Sequence, residues 1–225
     1  MSWLSEWIPN VVELADEFPT GMMQTLQMLL IPGAISFVLG VIFGVTLIVT
    51  RKGGIMENRI IFFLLDKLVN LFRSIPFIIL MTLLVGFTRF LTGTSIGVAG
   101  ALPSLVVGTT PFFSRQIESA LAEVDQGIIE ASQAMGLSPM QIIIRVYLRE
   151  SIPGIARATT ITLISLVGLT AIAGAIGAGG LGDMAIRYGY QRNMYDVTYV
   201  VVIIILLMIT LIQTIGDVIV KKTSH

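Results

Sequence analysis

Five runs of the chain are apolar over the ~20 residues that a helix needs to cross a hydrocarbon layer. They cover about Leu26 to Thr50, Ile60 to Phe87, Ile96 to Ser114, Ala158 to Ile176 and Val197 to Val220. None alternates apolar and polar positions as barrel strands do, and unpaired peptide groups are costly in hydrocarbon, so each run predicts an α-helix. The expected fold class is an all-α membrane protein with five transmembrane helices. Residues 1–25 form an N-terminal arm, 26–220 the membrane domain and 221–225 a tail.

The longest stretch between runs, about residues 115–155, reads as short helices. A helix over Asp125 to Met135 brings Ile128, Ala131, Ala134 and Met135 close to one face. Gly136 suits its end. Ser138-Pro139-Met140-Gln141 then supplies a hydroxyl cap, proline at the first helical position and glutamine at the third, the signature of a capping box.

Composition supports the membrane reading: 55% of residues are hydrophobic and 12% charged, against about a quarter charged in soluble domains. The formal net charge is zero, and no basic stripe is present to neutralise a phosphate backbone, which excludes nucleic acid as a partner. Cysteine is absent and the single histidine is His225, so no disulfide, thiolate nucleophile or cysteine-ligated metal is available. No Lys or Arg precedes the first apolar run, which disfavours a removable signal peptide.

Loop charge sets the orientation. Arg51, Lys52, Arg59, Arg115, Arg145, Arg149, Arg157, Lys221 and Lys222 fall on one side, and only Arg89, Arg187 and Arg192 on the other. The richer side is predicted to be cytoplasmic. The acidic arm (Glu6, Glu13, Asp16, Glu17) is then outside and the C-terminus inside.

Gly177-Ala-Gly179-Gly-Leu-Gly182 satisfies G-x-G-x-x-G, but it follows a membrane helix instead of a strand, so it reads as close packing or an external turn and not a dinucleotide site. No G-x-x-x-x-G-K-[ST] occurs, so any nucleotide must be handled by another chain. Arg73 lies in or near the second run, where a charge is a functional candidate. Equally, it could snorkel to the headgroups beside Asp66 and Lys67. Thr162, Ser165, Gly168 and Thr170 in the fourth run could line a hydrated path, or serve as the ordinary small-residue glue of membrane helices.

Glu130-Ala131-Ser132-Gln133-Ala134-Met135-Gly136, followed by Val146-Tyr147-Leu148, resembles the EAA loop of ABC importer permeases. Arg149 stands where that pattern ends in proline, with Pro153 four residues on. Phe72 to Leu80, Gly93 to Gly97, Glu130 to Gln141 and Gly174 to Gly182 together resemble the methionine-uptake branch of these permeases, over about Gly21 to Asp217. The resemblance implies a five-helix permease core of the type I ABC importer kind in the bacterial cytoplasmic membrane. It also implies two copies per transporter, two cytoplasmic ATPase subunits that hold the ATP and Mg, and an extracytoplasmic substrate-binding lipoprotein.

By that resemblance Gln126 to Glu150 is the coupling segment. Glu130, Ala131, Ser132, Gly136, Ser138 and Pro139 are its candidate ATPase-coupling residues. The chain itself is expected to be no enzyme and to bind no cofactor. Two rivals stay open: the same architecture importing another amino acid, a phosphonate or a quaternary amine, and an ATP-independent channel or carrier.

Overall fold

The structure is a computed structural model and describes residues 7–223. Among them every regular element is helical. In order they are α1 (Pro9–Glu13), α2 (Glu17–Thr50), α3 (Arg59–Ser74), α4 (Phe77–Leu83), α5 (Val85–Thr92), α6 (Gly97–Ala122) and α7 (Gln126–Ala134). Then come α8 (Pro139–Ile142), a π-helical turn over Ile143–Tyr147, and α9 (Leu148–Glu150). Last are α10 (Ile152–Ala173), a π-helical stretch over Gly174–Ala178, α11 (Gly180–Met184), another over Ala185–Tyr190, and α12 (Tyr195–Thr223).

Four helices, α2, α6, α10 with its π-helical extension, and α12, are each long and apolar enough to cross a membrane. Their outer faces leave large apolar side chains uncovered, among them Leu30, Val38 and Ile42 on α2 and Leu206, Leu207 and Leu211 on α12. A soluble protein of this size would bury such stripes, whereas a bilayer solvates them.

The run Ile60 to Phe87, expected as one continuous span, is instead three helices. Asn58 caps α3 by accepting from the N–H groups of Ile60 and Ile61, both at 3.1 Å. The helix ends at Ile75, which is extended at φ −84°, ψ 122°, because Pro76 clashes with a helical predecessor and offers no N–H. α3 is also amphipathic: Asp66, Lys67, Asn70 and Arg73 occupy its polar side, while Ile60, Leu64, Leu68 and Leu71 are exposed apolar positions. A second break falls at Leu84, between α4 and α5. The other runs come out longer than expected: α2 starts at Glu17, and α6 continues past Ser114 to Ala122.

The residues group into two compact units. One comprises the chain up to Ala34, Pro76–Gly108 and Leu163–Ile212; the other Ile35–Ile75, Thr109–Thr162 and the chain from Gln213. The first has cores around Met28, Leu105 and Leu166 and around Leu181, Tyr188 and Val201. Here the glycine-rich turn packs closely on α2. The N–H groups of Gly180 and Leu181 donate to Gln24 Oε1 at 2.7 Å and Thr25 Oγ1 at 2.9 Å. A Cβ on Gly180 would sit 2.7 Å from that hydroxyl.

The core of the second unit joins Ile48 and Val49 of α2, Phe113, Ile117 and Leu121 of α6, and Ala158 of α10. Gly40 and Gly44 of α2 form a G-x-x-x-G pair against Phe113 and Ile117, where an added Cβ at Gly44 would lie 2.6 Å from the Ile117 methyl. Glycine at that spacing lets membrane helices approach to backbone contact. Nearby, Thr110 donates to Ser36 at 3.2 Å, a buried polar link between the same two helices.

Candidate coupling site

The segment from Asp125 to Glu150 is built by local rules that the residues state one after another. Asp125 caps α7 by accepting from Gly127 N–H at 2.7 Å and Ile128 N–H at 3.3 Å. At the other end Gly136 takes φ +79°. Its N–H donates to Gln133 O at 2.9 Å while Leu137 N–H donates to Ser132 O at 3.2 Å, the paired bonds of a Schellman turn. The expected capping box follows at once: Gln141 N–H donates to Ser138 Oγ at 3.4 Å, and Ser138 N–H donates to Gln141 Oε1 at 2.8 Å. Pro139 occupies the first position of α8.

One side of this segment is held by the second unit's core. Ile129, Ile142, Ile143, Val146 and Tyr147 are buried in the same cluster as Ile48, Phe113, Ile117 and Leu121. Burial pushes the Tyr147 hydroxyl above its usual pKa. Further on, Ser151 Oγ donates to Ala120 O at 3.2 Å, fastening the start of α10 to the end of α6.

The other side is free. Ile128, Glu130, Ala131 and Met135 are exposed, Met135 at 71%, as are Gly136, Ser138 and Pro139. Of the candidate coupling residues only Ser132 turns inward: it is buried, and its hydroxyl donates to Ile128 O at 2.7 Å. The segment thus offers a short helix with a small-residue and apolar outer face, one carboxylate, and an inner face packed into the ends of membrane helices. The inner side chain of α7, Ile129, is close-packed in one cluster with those of α2 and α6.

The other candidates scatter. Arg73 is exposed in the last turn of α3, just ahead of the break at Pro76. Thr162 and Thr170 are buried and donate to their own helix, to Ala158 O at 2.8 Å and Val167 O at 2.7 Å. Ser165 and Gly168 face outward on α10, and a Cβ on Gly168 would meet nothing within 4 Å.

Sequence reasoning missed the part-buried ion pair of Arg115, which it placed in the stretch between the third and fourth runs. The guanidinium donates to Asp66 and Glu118. The signal was present in Arg115 and Glu118 at i,i+3 spacing, whereas the long-range partner Asp66 had none. Among the described residues no group of three or more acidic or histidine side chains is arranged to hold a metal.

Four helices long and apolar enough to cross a membrane, with a helix-turn-helix in the chain between α6 and α10, define a polytopic membrane protein. The chain belongs to the family described as binding-protein-dependent transport system inner membrane component, whose signature matches residues 36–225. It is 45% identical over 213 residues to the probable D-methionine transport system permease protein MetI of Vibrio cholerae, covering 94% of each chain. It is 48% identical over 173 residues to the methionine import system permease protein MetP of Bacillus subtilis, covering 77% of this chain and 78% of that one. The fold superposes on a chain of the MetNI methionine ABC transporter in its inward-facing conformation with a TM-score of 0.88 at 46% identity, covering 90% of this chain and 94% of that one. The chain is therefore a multi-pass inner-membrane transport subunit and not an enzyme, which agrees with the resemblance found in the sequence.

Proposed function

We propose that this chain is the permease subunit of an ATP-driven importer that carries methionine or a closely related amino acid across the cytoplasmic membrane by alternating access. It works with a second copy of itself, two cytoplasmic ABC ATPase subunits and an extracytoplasmic substrate-binding lipoprotein. The observation that carries this reading is the coupling segment, outwardly free and inwardly locked to membrane helices. The substrate class follows from the methionine permeases that the chain is similar to over nearly its full length.

In this reading α7 seats in a groove on the ATPase subunit. Glu130 fixes its orientation by a charge-assisted hydrogen bond, Ala131 permits close approach, and Ser132, Gly136, Ser138 and Pro139 hold the shape of the turn. Closure of the ATPases pulls α7, and the packed core relays the movement to α2, α6 and α10. Nucleotide and magnesium belong to the ATPase, and this chain holds no cofactor. Positive charge on the loops supports an N-terminus outside and a C-terminus in the cytoplasm. The outward-facing Ser165 and Gly168 line the path or meet the second copy, Thr162 and Thr170 stiffen α10 beside them, and Arg73 marks the cytoplasmic approach.

The test is uptake of radiolabelled methionine, with ATP hydrolysis, in vesicles holding this chain, its ATPase and its binding protein. Glu130→Lys is expected to abolish uptake while membrane insertion is retained. Undiminished uptake would overturn the coupling role; ATP-coupled activity with no methionine transport would overturn the substrate alone.

A further inference from the structure

We propose that the pocket between the start of α10 and the end of α12 binds the phosphate of an anionic phospholipid. This pocket, about 540 Å³ in volume, is lined by Arg149, Arg157 and Lys222, with Glu150 as the one carboxylate and Ile152 and Pro153 as an apolar wall. Three cations against one carboxylate leave a net charge of +2 (3 − 1) on a concave surface. Such a surface is repulsive without an anion.

Little inside the protein answers that charge. Arg149 and Lys222 make no ion pair among the described residues. Arg157 reaches Glu123 only at 3.7 Å, with the two side chains 58% and 70% exposed, a contact that is weak in water and easily exchanged. An incoming phosphate therefore displaces no strong internal partner.

Position selects a lipid over a soluble anion. Lys222 lies in the last turn of a 29-residue apolar helix whose preceding turn leaves Val218 and Ile219 uncovered, so its ammonium sits where hydrocarbon gives way to headgroups. Ile152, 44% exposed, and Pro153 supply an apolar surface for the glycerol and the first acyl carbons. Two guanidinium groups and an ammonium match phosphate oxygens, and basic pockets between membrane helices bind anionic headgroups in this way. Arg149 is also the residue that departs from the proline of the EAA pattern. A bound headgroup would join α9, which closes the coupling segment, to α10 and α12.

The test uses the full chain assembled with its ATPase in phosphatidylethanolamine nanodiscs doped with cardiolipin, with native mass spectrometry to count cardiolipin retained per chain. Wild type is compared with Arg149→Gln, Lys222→Gln and the double variant, and with Lys52→Gln, an exposed cation outside the pocket, as control. Loss of retention by roughly five-fold per charge removed is expected, with the control unchanged and Arg149→Lys retaining most of the lipid. Equal retention in the double variant overturns the proposal. So does displacement of cardiolipin by millimolar inorganic phosphate, which would mark a free-anion site. If a glutamine variant fails to assemble, the charge-keeping Arg149→Lys and salt titration of the wild type decide the matter: retention that does not fall with salt overturns the proposal.

Discussion

Arg115 of α6 donates to the carboxylate of Asp66 on α3, and a second guanidinium nitrogen reaches Glu118 at 2.6 Å. The three side chains are only about one-fifth exposed, at 19%, 23% and 18%. The bridge answers the charge of an arginine within a helix that continues to Ala122, and it ties amphipathic α3 to α6 inside the second unit. Removing Asp66 leaves the part-buried Arg115 with Glu118 as its one acidic partner at this bridge. Asp66→Asn is expected to lower the stability of the detergent-solubilised protein by about 1–3 kcal/mol, read as a fall in melting temperature. The triple variant Asp66→Asn/Arg115→Gln/Glu118→Gln is expected to recover part of that loss, because no lone charge of the bridge remains.

Gly44 faces Ile117 and the Ser114 carbonyl so closely that a side chain has no room. Gly44→Val is expected to destabilise the second unit by roughly 1–3 kcal/mol through overpacking. Gly168→Ala, where nothing lies within 4 Å, is expected to leave the melting temperature unchanged.

Gly136 holds φ +79° between α7 and α8 of the candidate coupling segment. Alanine there costs about 1–2 kcal/mol because its Cβ meets the following carbonyl. Gly136→Ala is expected to reduce methionine uptake per ATP hydrolysed more than it reduces ATP hydrolysis. Ser138→Ala, which breaks the capping box, is expected to cost about 1 kcal/mol and to weaken coupling in the same direction. Parallel loss of both activities in either variant would mean failed assembly in place of uncoupling.

Tyr188 donates to both carboxylate oxygens of Glu17, at 2.8 and 2.7 Å, and Arg187 and Arg192 lie over its ring at 4.6 and 4.9 Å. The bond to Glu17, and then burial, hold the phenol above its usual pKa. A raised pKa contributes stability that is complete below the unfolded value near ~10 and is lost as pH rises through the folded one. Melting of wild type is therefore expected to be insensitive to this group at neutral pH and to fall above about pH 10. Tyr188→Phe is expected to melt lower at neutral pH and to show a smaller fall.

The sequence by itself determined that the long apolar runs are helical and where the turn between α7 and α8 lies. Long apolar runs leave only helices as backbone solutions in a bilayer. Gly136 and Ser138-Pro139-Met140-Gln141 carry their geometry in chemistry confined to one turn of chain. Even the break at Pro76 was written locally, although a hydropathy window runs straight across it.

Tertiary structure alone decided the partners. Nothing near Arg115 names Asp66, forty-nine residues away, and nothing in α7 says that Ser132 turns inward while Ala131 turns out. It also brought Arg149, Arg157 and Lys222 to one pocket. The reason is specific to the membrane: lipid and protein core are both apolar, so polarity along a spanning helix does not mark which face is buried. That choice falls to shape, in the fit of Gly40 and Gly44 to Phe113 and Ile117, and shape is settled only when the helices meet.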